Sequence, residues 1–128
     1  MTLVLDAGGL GMLALQRARL HELRRRGLWP AQVPTVVLTE TLTGDHRRDF
    51  HVNRLLRACQ VRDVDESQAR VAARLRTATG RAGTISAADA IVVACAADLP
   101  QAIVITSDPL DLRALAEHAA TAVSIVAA

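Results

Sequence analysis

The sequence predicts an α/β protein built on a parallel sheet of about four to five strands with helices on both faces. Three observations lead there. Strand-like and helix-like segments alternate along the whole 128-residue chain. The two clearest strands, Thr2 to Leu5 and Ala102 to Ile105, are unbroken apolar runs without two-residue alternation. Such runs belong to parallel strands covered on both sides. Third, the segment Ser86 to Ala97 reads as a helix that is apolar all round except for Asp89 in its first turn. That pattern marks a buried helix rather than an amphipathic one.

The elements follow in order. Asp6 ends the first strand, and Ala7-Gly8-Gly9-Leu10-Gly11 turns into a helix carried by Met12, Leu13, Leu15, Leu20 and Leu23 and closed at Gly27. Arg24, Arg25 and Arg26 fall in its last turn, where positive charge suits the helix end. A loop with a short strand at Val33-Pro34 leads to a helix that Thr35 can cap, with Glu40 in its second turn and Gly44 at its end. Asp45 to Ala58 reads as another helix, with Phe50, Leu55 and Leu56 towards the core. Gln60 to Val64 alternates like a strand. Asp65-Glu66-Ser67-Gln68 has capping-box form and opens a helix ending near Gly80. After a loop comes the apolar helix, then the strand Ala102 to Ile105, a helix opened by Asp108-Pro109, and a last strand at Ala122 to Val126. There is no repeat, linker or low-complexity segment, so one domain is expected over residues 1–128.

Composition narrows the chemistry. All the positive charge is Arg and the net charge is +2. Without Lys there is no P-loop and no Lys nucleophile or Schiff base. Trp29 and Phe50 are the only aromatics, too few for a base-stacking platform. Nucleic acid would have to be handled through backbone phosphates and metal. Cys59 and Cys95 match no metal or redox spacing and suit buried thiols in a reducing cytoplasm. No basic leader precedes the first strand and no apolar run approaches a membrane span. His21, His46, His51 and His118 form no ligand pattern and are expected at the surface, with His46 at most touching substrate.

The acids are the informative residues. In open parallel sheets the site lies beyond the carboxyl ends of the strands. Asp6 follows the first strand, and Asp108 follows the fourth after Thr106 and Ser107. Asp89 starts the helix feeding that strand, and Glu40 lies near the start of the helix after the second. The connections therefore bring Asp6, Glu40, Asp89 and Asp108 to one edge. Each also has a plainer explanation as a cap or solvated residue: Asp108 before Pro109, Ser86-x-x-Asp89 as a capping box, Asp6 ahead of the first helix, and Glu40 on a helix surface. Caps need not share an edge, however. Clustered carboxylates repel, and a hard divalent ion such as Mg²⁺ or Mn²⁺ relieves that repulsion. Such an ion polarises a phosphoryl oxygen and lowers the pKa of bound water. The pattern suits metal-assisted phosphodiester hydrolysis better than acyl transfer.

Leu3-Val4-Leu5-Asp6-Ala7, the Thr39-Glu40 helix after Val33-Pro34, the Asp89 segment, and Val104-Ile105-Thr106-Ser107-Asp108 together resemble the PIN domain, in family order and spacing. At this length the chain resembles the VapC toxins of toxin–antitoxin pairs. The resemblance implies a cytoplasmic Mg²⁺- or Mn²⁺-dependent endoribonuclease that leaves a 5′-phosphate, pairs with a cognate antitoxin and forms a homodimer. It makes Asp6, Glu40, Asp89 and Asp108 the acidic site, with Asp6, Asp89 and Asp108 as metal ligands and Thr106 as a hydrogen-bonding support. Asp111 is either a further acid of this cluster or a solvated residue. Arg47 and Arg48 are candidates for RNA phosphate contacts, although a solvated helix face explains them equally well.

Two departures from the family stand out. Gly8 occupies a position where many members carry Ser, and the first helical region, which in the family helps form the antitoxin groove, is short and Gly-rich. The competing readings are a non-catalytic PIN-like module that binds RNA or a partner, and a Mg²⁺-dependent phosphatase. The phosphatase wants a second acid after the first strand, and Asp6-Ala7-Gly8 lacks one.

Overall fold

The computed structural model describes residues 1–128. Leu3, Val4 and Leu5 are wholly buried. Successive strand residues point to opposite faces, so this strand is covered on both. It is β1 (Thr2–Leu5), the centre of a sheet completed by β2 (Gln32–Pro34), β3 (Gln60–Arg62), β4 (Ala102–Thr106) and β5 (Val123–Ala127). The five strands pair in parallel in the order β3-β2-β1-β4-β5. Seven helices connect them: α1 (Ala7–Leu13), α2 (Arg17–Arg25), α3 (Thr35–Thr41), α4 (Phe50–Leu56), α5 (Glu66–Ala78), α6 (Ala87–Ala97) and α7 (Pro109–Ala116).

The strand order runs outward from β1 in both directions, so the crossovers reverse there. Right-handed crossovers then place the helices on opposite faces. Accordingly α1 packs with α2, α3 and α4, while α5, α6 and α7 pack with one another. The apolar helix α6 lies at the heart of the second group, with Ala90 and Val92 to Ala96 buried. The edge strands are short or half-exposed, and all three residues of β3 face solvent. Arg62 on β3 discourages further strand pairing there.

Four local expectations need correction. The first helix is two helices. The chain breaks at Ala14 to Gln16, where Leu15 N and Gln16 N donate three residues back to the Met12 and Leu13 carbonyls and Leu15 turns out to solvent at 73% exposure. The helix expected from Asp45 begins only at Phe50. The Asp49 carboxylate accepts hydrogen bonds from Thr43 N, Gly44 N and Thr43 Oγ1 at 2.9 to 3.1 Å, which ties the chain into a turn. Side-chain bonds of this kind compete with helix. They hold the Asp49 carboxyl below its ordinary pKa, led by the Thr43 N–H. As a result Phe50, expected in the core, is 54% exposed. Thr35 does not cap α3 but is its first residue, after Pro34, and α3 ends at Thr41 before the left-handed Gly44. The third strand stops at Arg62 rather than Val64 because the Asp65 capping box takes over.

Candidate functional site

β1 and β4 are neighbours in register, Leu5 beside Ile105. Their carboxyl ends therefore deliver Asp6 and Thr106 side by side at the point where the sheet order reverses. In doubly wound sheets this crevice is the place for a ligand.

Asp6 is 6% exposed and both its oxygens are engaged. Oδ1 accepts from Gly9 N at 2.7 Å, capping α1, and Oδ2 accepts from the Thr106 hydroxyl at 2.5 Å. The same hydroxyl accepts from Asp108 N at 2.9 Å, which sets the path of the β4–α7 loop. The glycines of α1 follow from this geometry. A Cβ on Gly9 would lie 2.2 Å from the Ile105 carbonyl oxygen, so only glycine lets α1 start this close to β4. A Cβ on Gly8 would lie 1.9 Å from the Ser107 Oγ. The Ser107 hydroxyl thus fills the space that a side chain at position 8 would take, on the opposite wall.

The acids at this edge are not fully explained as caps. Asp108 stands at the N-cap of α7 but its carboxylate makes no capping hydrogen bond. Ser86 caps α6 by accepting from Asp89 N at 3.0 Å, without the reciprocal bond that completes the Asp65 box on α5. Both carboxylates are left facing the crevice edge. One potential ligand atom from each of Asp89, Asp108 and Asp111 lies within 4.8 Å of the others. Asp111, which the sequence left open, thus joins the cluster because one turn of α7 carries it to the same side as Asp108. Glu40 on α3 is exposed.

Electrostatics couple these groups. The Asp89 carboxyl is pushed up to about 6, first by burial and then by the Asp6, Glu40 and Asp108 carboxylates, with the Ser86 hydroxyl pulling it partly back. Burial also raises Asp6, with Asp108 adding to it, while its bonds to Thr106 and Gly9 oppose the rise. The donors are all oxygen, closely grouped and mutually repelling. A hard divalent cation such as Mg²⁺ or Mn²⁺ fits that donor set.

One counter-charge is already present. Arg81, in the turn between α5 and α6, places its guanidinium 2.8 Å from Asp111 Oδ1. Sequence reading missed Arg81, because thirty residues separate the pair and no spacing rule connects a loop Arg to a helix Asp. Arg47 and Arg48 lie exposed in the turn before α4, and their side chains make no hydrogen bond or ion pair. All four histidines are exposed. Cys59 and Cys95 are free, and burial pushes both thiols up to about 11.

A second feature lies between α2 and α4. A cleft of about 660 Å³ has an apolar floor that includes Leu13, Leu20 and Leu55, and a rim carrying Arg17, Arg24 and Arg54. Arg24 is steadied by stacking 5.6 Å from the Trp29 ring centre. No helix of the chain is long and apolar enough to cross a membrane.

The family model of the PIN domain matches residues 16–118, a span that contains Glu40, Asp89, Asp108 and Asp111 and starts after Asp6. Among solved structures, the fold is similar to DNA-bound VapBC from Salmonella typhimurium, with a TM-score of 0.75 at 16% identity over 99% of this chain and 98% of that one. It is also similar to VapBC2 from Rickettsia felis bound to a promoter DNA fragment, with a TM-score of 0.73 at 13% identity over 100% and 99%. FitAB bound to IR36 DNA gives a TM-score of 0.65 at 17% identity over 98% and 94%. No curated protein matches the chain by sequence.

Proposed function

The chain belongs to the PIN domain family, and on that footing we propose that it is a Mg²⁺- or Mn²⁺-dependent endoribonuclease, the toxin of a toxin–antitoxin pair. The observation that carries this reading is the meeting of Asp89, Asp108 and Asp111 within 4.8 Å beside the buried Asp6. Asp6, Asp89 and Asp108 are the proposed metal ligands, with Glu40 completing the catalytic acids and Asp111 at the rim. Bound there, the ion would supply Lewis-acid polarisation of a phosphoryl oxygen and a lowered pKa for water.

The chain's own residues prepare the site. Thr106 fixes the Asp6 carboxylate, and the rigid wall of α6 fixes Asp89. The carboxylates orient water in line with the scissile phosphodiester of RNA, whose cleavage leaves a 5′-phosphate. Arg47 and Arg48 are free to meet backbone phosphates away from the reacting bond. A non-catalytic module is the weaker reading, since neither Asp108 nor Asp89 spends its carboxylate on a helix cap.

The partner is a protein antitoxin. The structural relatives include VapBC and FitAB assemblies, which supports a two-component system here. The Arg-rimmed cleft between α2 and α4 suits an antitoxin segment that is apolar on one side and acidic on the other. The proposal includes a cytoplasmic homodimer, for which the exposed Phe50, Leu110 and Val126 leave apolar surface available.

The test is RNA cleavage by purified protein with Mn²⁺ against EDTA, beside Asp6→Asn and Asp89→Asn. Cleavage that needs the ion and falls at least about 100-fold in both folded variants is expected. Full activity in either variant would overturn the mechanism.

A further inference from the structure

The chain has fifteen arginines, yet only two ion pairs form. Arg70–Glu66 is an exposed pair one turn apart on α5, a kind worth little. Arg81–Asp111 is different. It joins the α5–α6 turn to α7, and the Asp111 side chain is only 22% exposed. The Arg81 backbone is firmly set. Its N–H donates to Thr79 Oγ1 at 3.1 Å, and its carbonyl accepts from Thr84 N and Ile85 N at 2.9 Å. Arg76 clamps the end of the same turn by donating to the Ile85 carbonyl at 2.7 Å. Ser86 then opens α6 and places Asp89 three residues on. One short rigid segment therefore carries both Arg81 and Asp89, and Arg81 reaches across to Asp111.

Asp111 is one of three acids whose ligand atoms lie within 4.8 Å of one another. A guanidinium cannot be deprotonated at working pH and brings a fixed positive charge wherever it sits. A divalent ion and Arg81 thus compete for the same carboxylate, and they repel one another at close range.

We propose that Arg81 is the built-in counter-ion of the acidic site, occupying a carboxylate oxygen of Asp111 within the cluster and thereby setting how tightly the divalent ion binds. This rests on the metal-dependent reading above. Arg81 is a positioning residue acting through Asp111. Its effect is to weaken metal binding in the resting protein while keeping the acids from repelling each other apart. The uncharged variant leaves the whole Asp111 carboxylate to the ion and removes the nearby positive charge, so its ion binds more tightly.

The experiment is calorimetric titration of the full chain with Mn²⁺, with folding of each variant checked by thermal denaturation in EDTA. Arg81→Gln is expected to bind Mn²⁺ about tenfold more tightly than wild type, within the range by which outer-shell partners shift metal affinity. Arg81→Lys, which keeps the charge, is expected to stay within a factor of about three of wild type, well short of that tenfold gain. In an Asp111→Asn background the Arg81→Gln gain should vanish. Arg81→Gln binding no more tightly than wild type, or a gain that survives Asp111→Asn, overturns the role of Arg81 and leaves the metal reading standing. Folded wild type and Arg81→Gln that both fail to bind Mn²⁺ overturn the metal reading, and the counter-ion with it.

Discussion

The Thr106 hydroxyl donates to Asp6 Oδ2 at 2.5 Å, joining residues 100 positions apart across the β1–β4 pair. A hydroxyl that donates to an ionised carboxylate makes a charge-assisted bond. This one orients an acid that would otherwise lie buried with one oxygen unpaired. Thr106→Val keeps the shape of the strand and removes the bond. It is expected to cost about 1–3 kcal/mol in chemical denaturation, as for a buried acceptor left unsatisfied. Metal-dependent RNA cleavage should fall about 10–100-fold, while Thr106→Ser stays near wild type. An active, stable Thr106→Val would show that Asp6 needs no support.

Asp89 makes the metal-free protein pH-sensitive. Its carboxyl titrates near 6 in the folded chain against an ordinary 3.8. Between about pH 4 and 6 the folded state therefore holds more protons than the unfolded one. Stability then falls as pH rises through that window. In EDTA the melting temperature should be higher at pH 5 than at pH 7, and Asp89→Asn should remove most of the difference. Mn²⁺ at pH 7 should restore the loss, since an ion at 100 times its Kd adds about 2.7 kcal/mol. A wild-type melting curve that ignores pH in EDTA argues against a coupled acidic cluster.

Charge at Asp89 also governs activity. Asp89→Asn is expected to lower kcat by about 10²–10³, the scale of removing one preorganised electrostatic group. Wild-type cleavage should rise with pH as Asp89 loses its proton, and its apparent midpoint should drop below 6 as Mn²⁺ is raised. A midpoint independent of metal concentration would count against Asp89 as a ligand.

The glycines at the start of α1 test the packing beneath the site. Gly9→Ala drives a methyl group into the Ile105 carbonyl and should destabilise by about 1–3 kcal/mol, as overpacking does. Gly8→Ala meets mainly the Ser107 side chain, so Ser107→Gly should recover much of its loss. The same second change should leave Gly9→Ala unrelieved, because the obstacle there is backbone. Equal rescue of both would mean that α1 shifts as a body.

The arginine-rimmed cleft gives a prediction separable from catalysis. Arg24→Glu together with Arg54→Glu should weaken antitoxin binding at least about tenfold, the change that 1.4 kcal/mol makes. Cleavage of RNA by the free protein should be unaffected. Loss of cleavage without loss of partner binding would assign the cleft to RNA instead.

Much of this was legible in the residues themselves. Unbroken apolar runs at β1 and β4 meant a sheet covered on both faces, and an apolar α6 meant a helix packed inside. Asp6, Asp89 and Asp108 were visible as acids at element ends, because capping positions and strand ends are set by local chemistry. Local reading failed where a side chain overrode propensity. Asp49 captured Thr43 and Gly44 and turned a helix start into a turn. The tight bonds of Leu15 N and Gln16 N to the Met12 and Leu13 carbonyls closed α1 early and split one expected helix into two.

By itself, then, the sequence determined the fold class and the buried elements and put Asp6, Asp89 and Asp108 at element ends, since periodicity and capping act over a few residues. The strand order, the 2.5 Å bond between Thr106 and Asp6, the entry of Asp111 into the cluster and the reach of Arg81 were decided only by the tertiary structure. Each depends on which strands become neighbours and how closely α1 approaches β4. Those are outcomes of packing the whole core, and no local window of residues contains them.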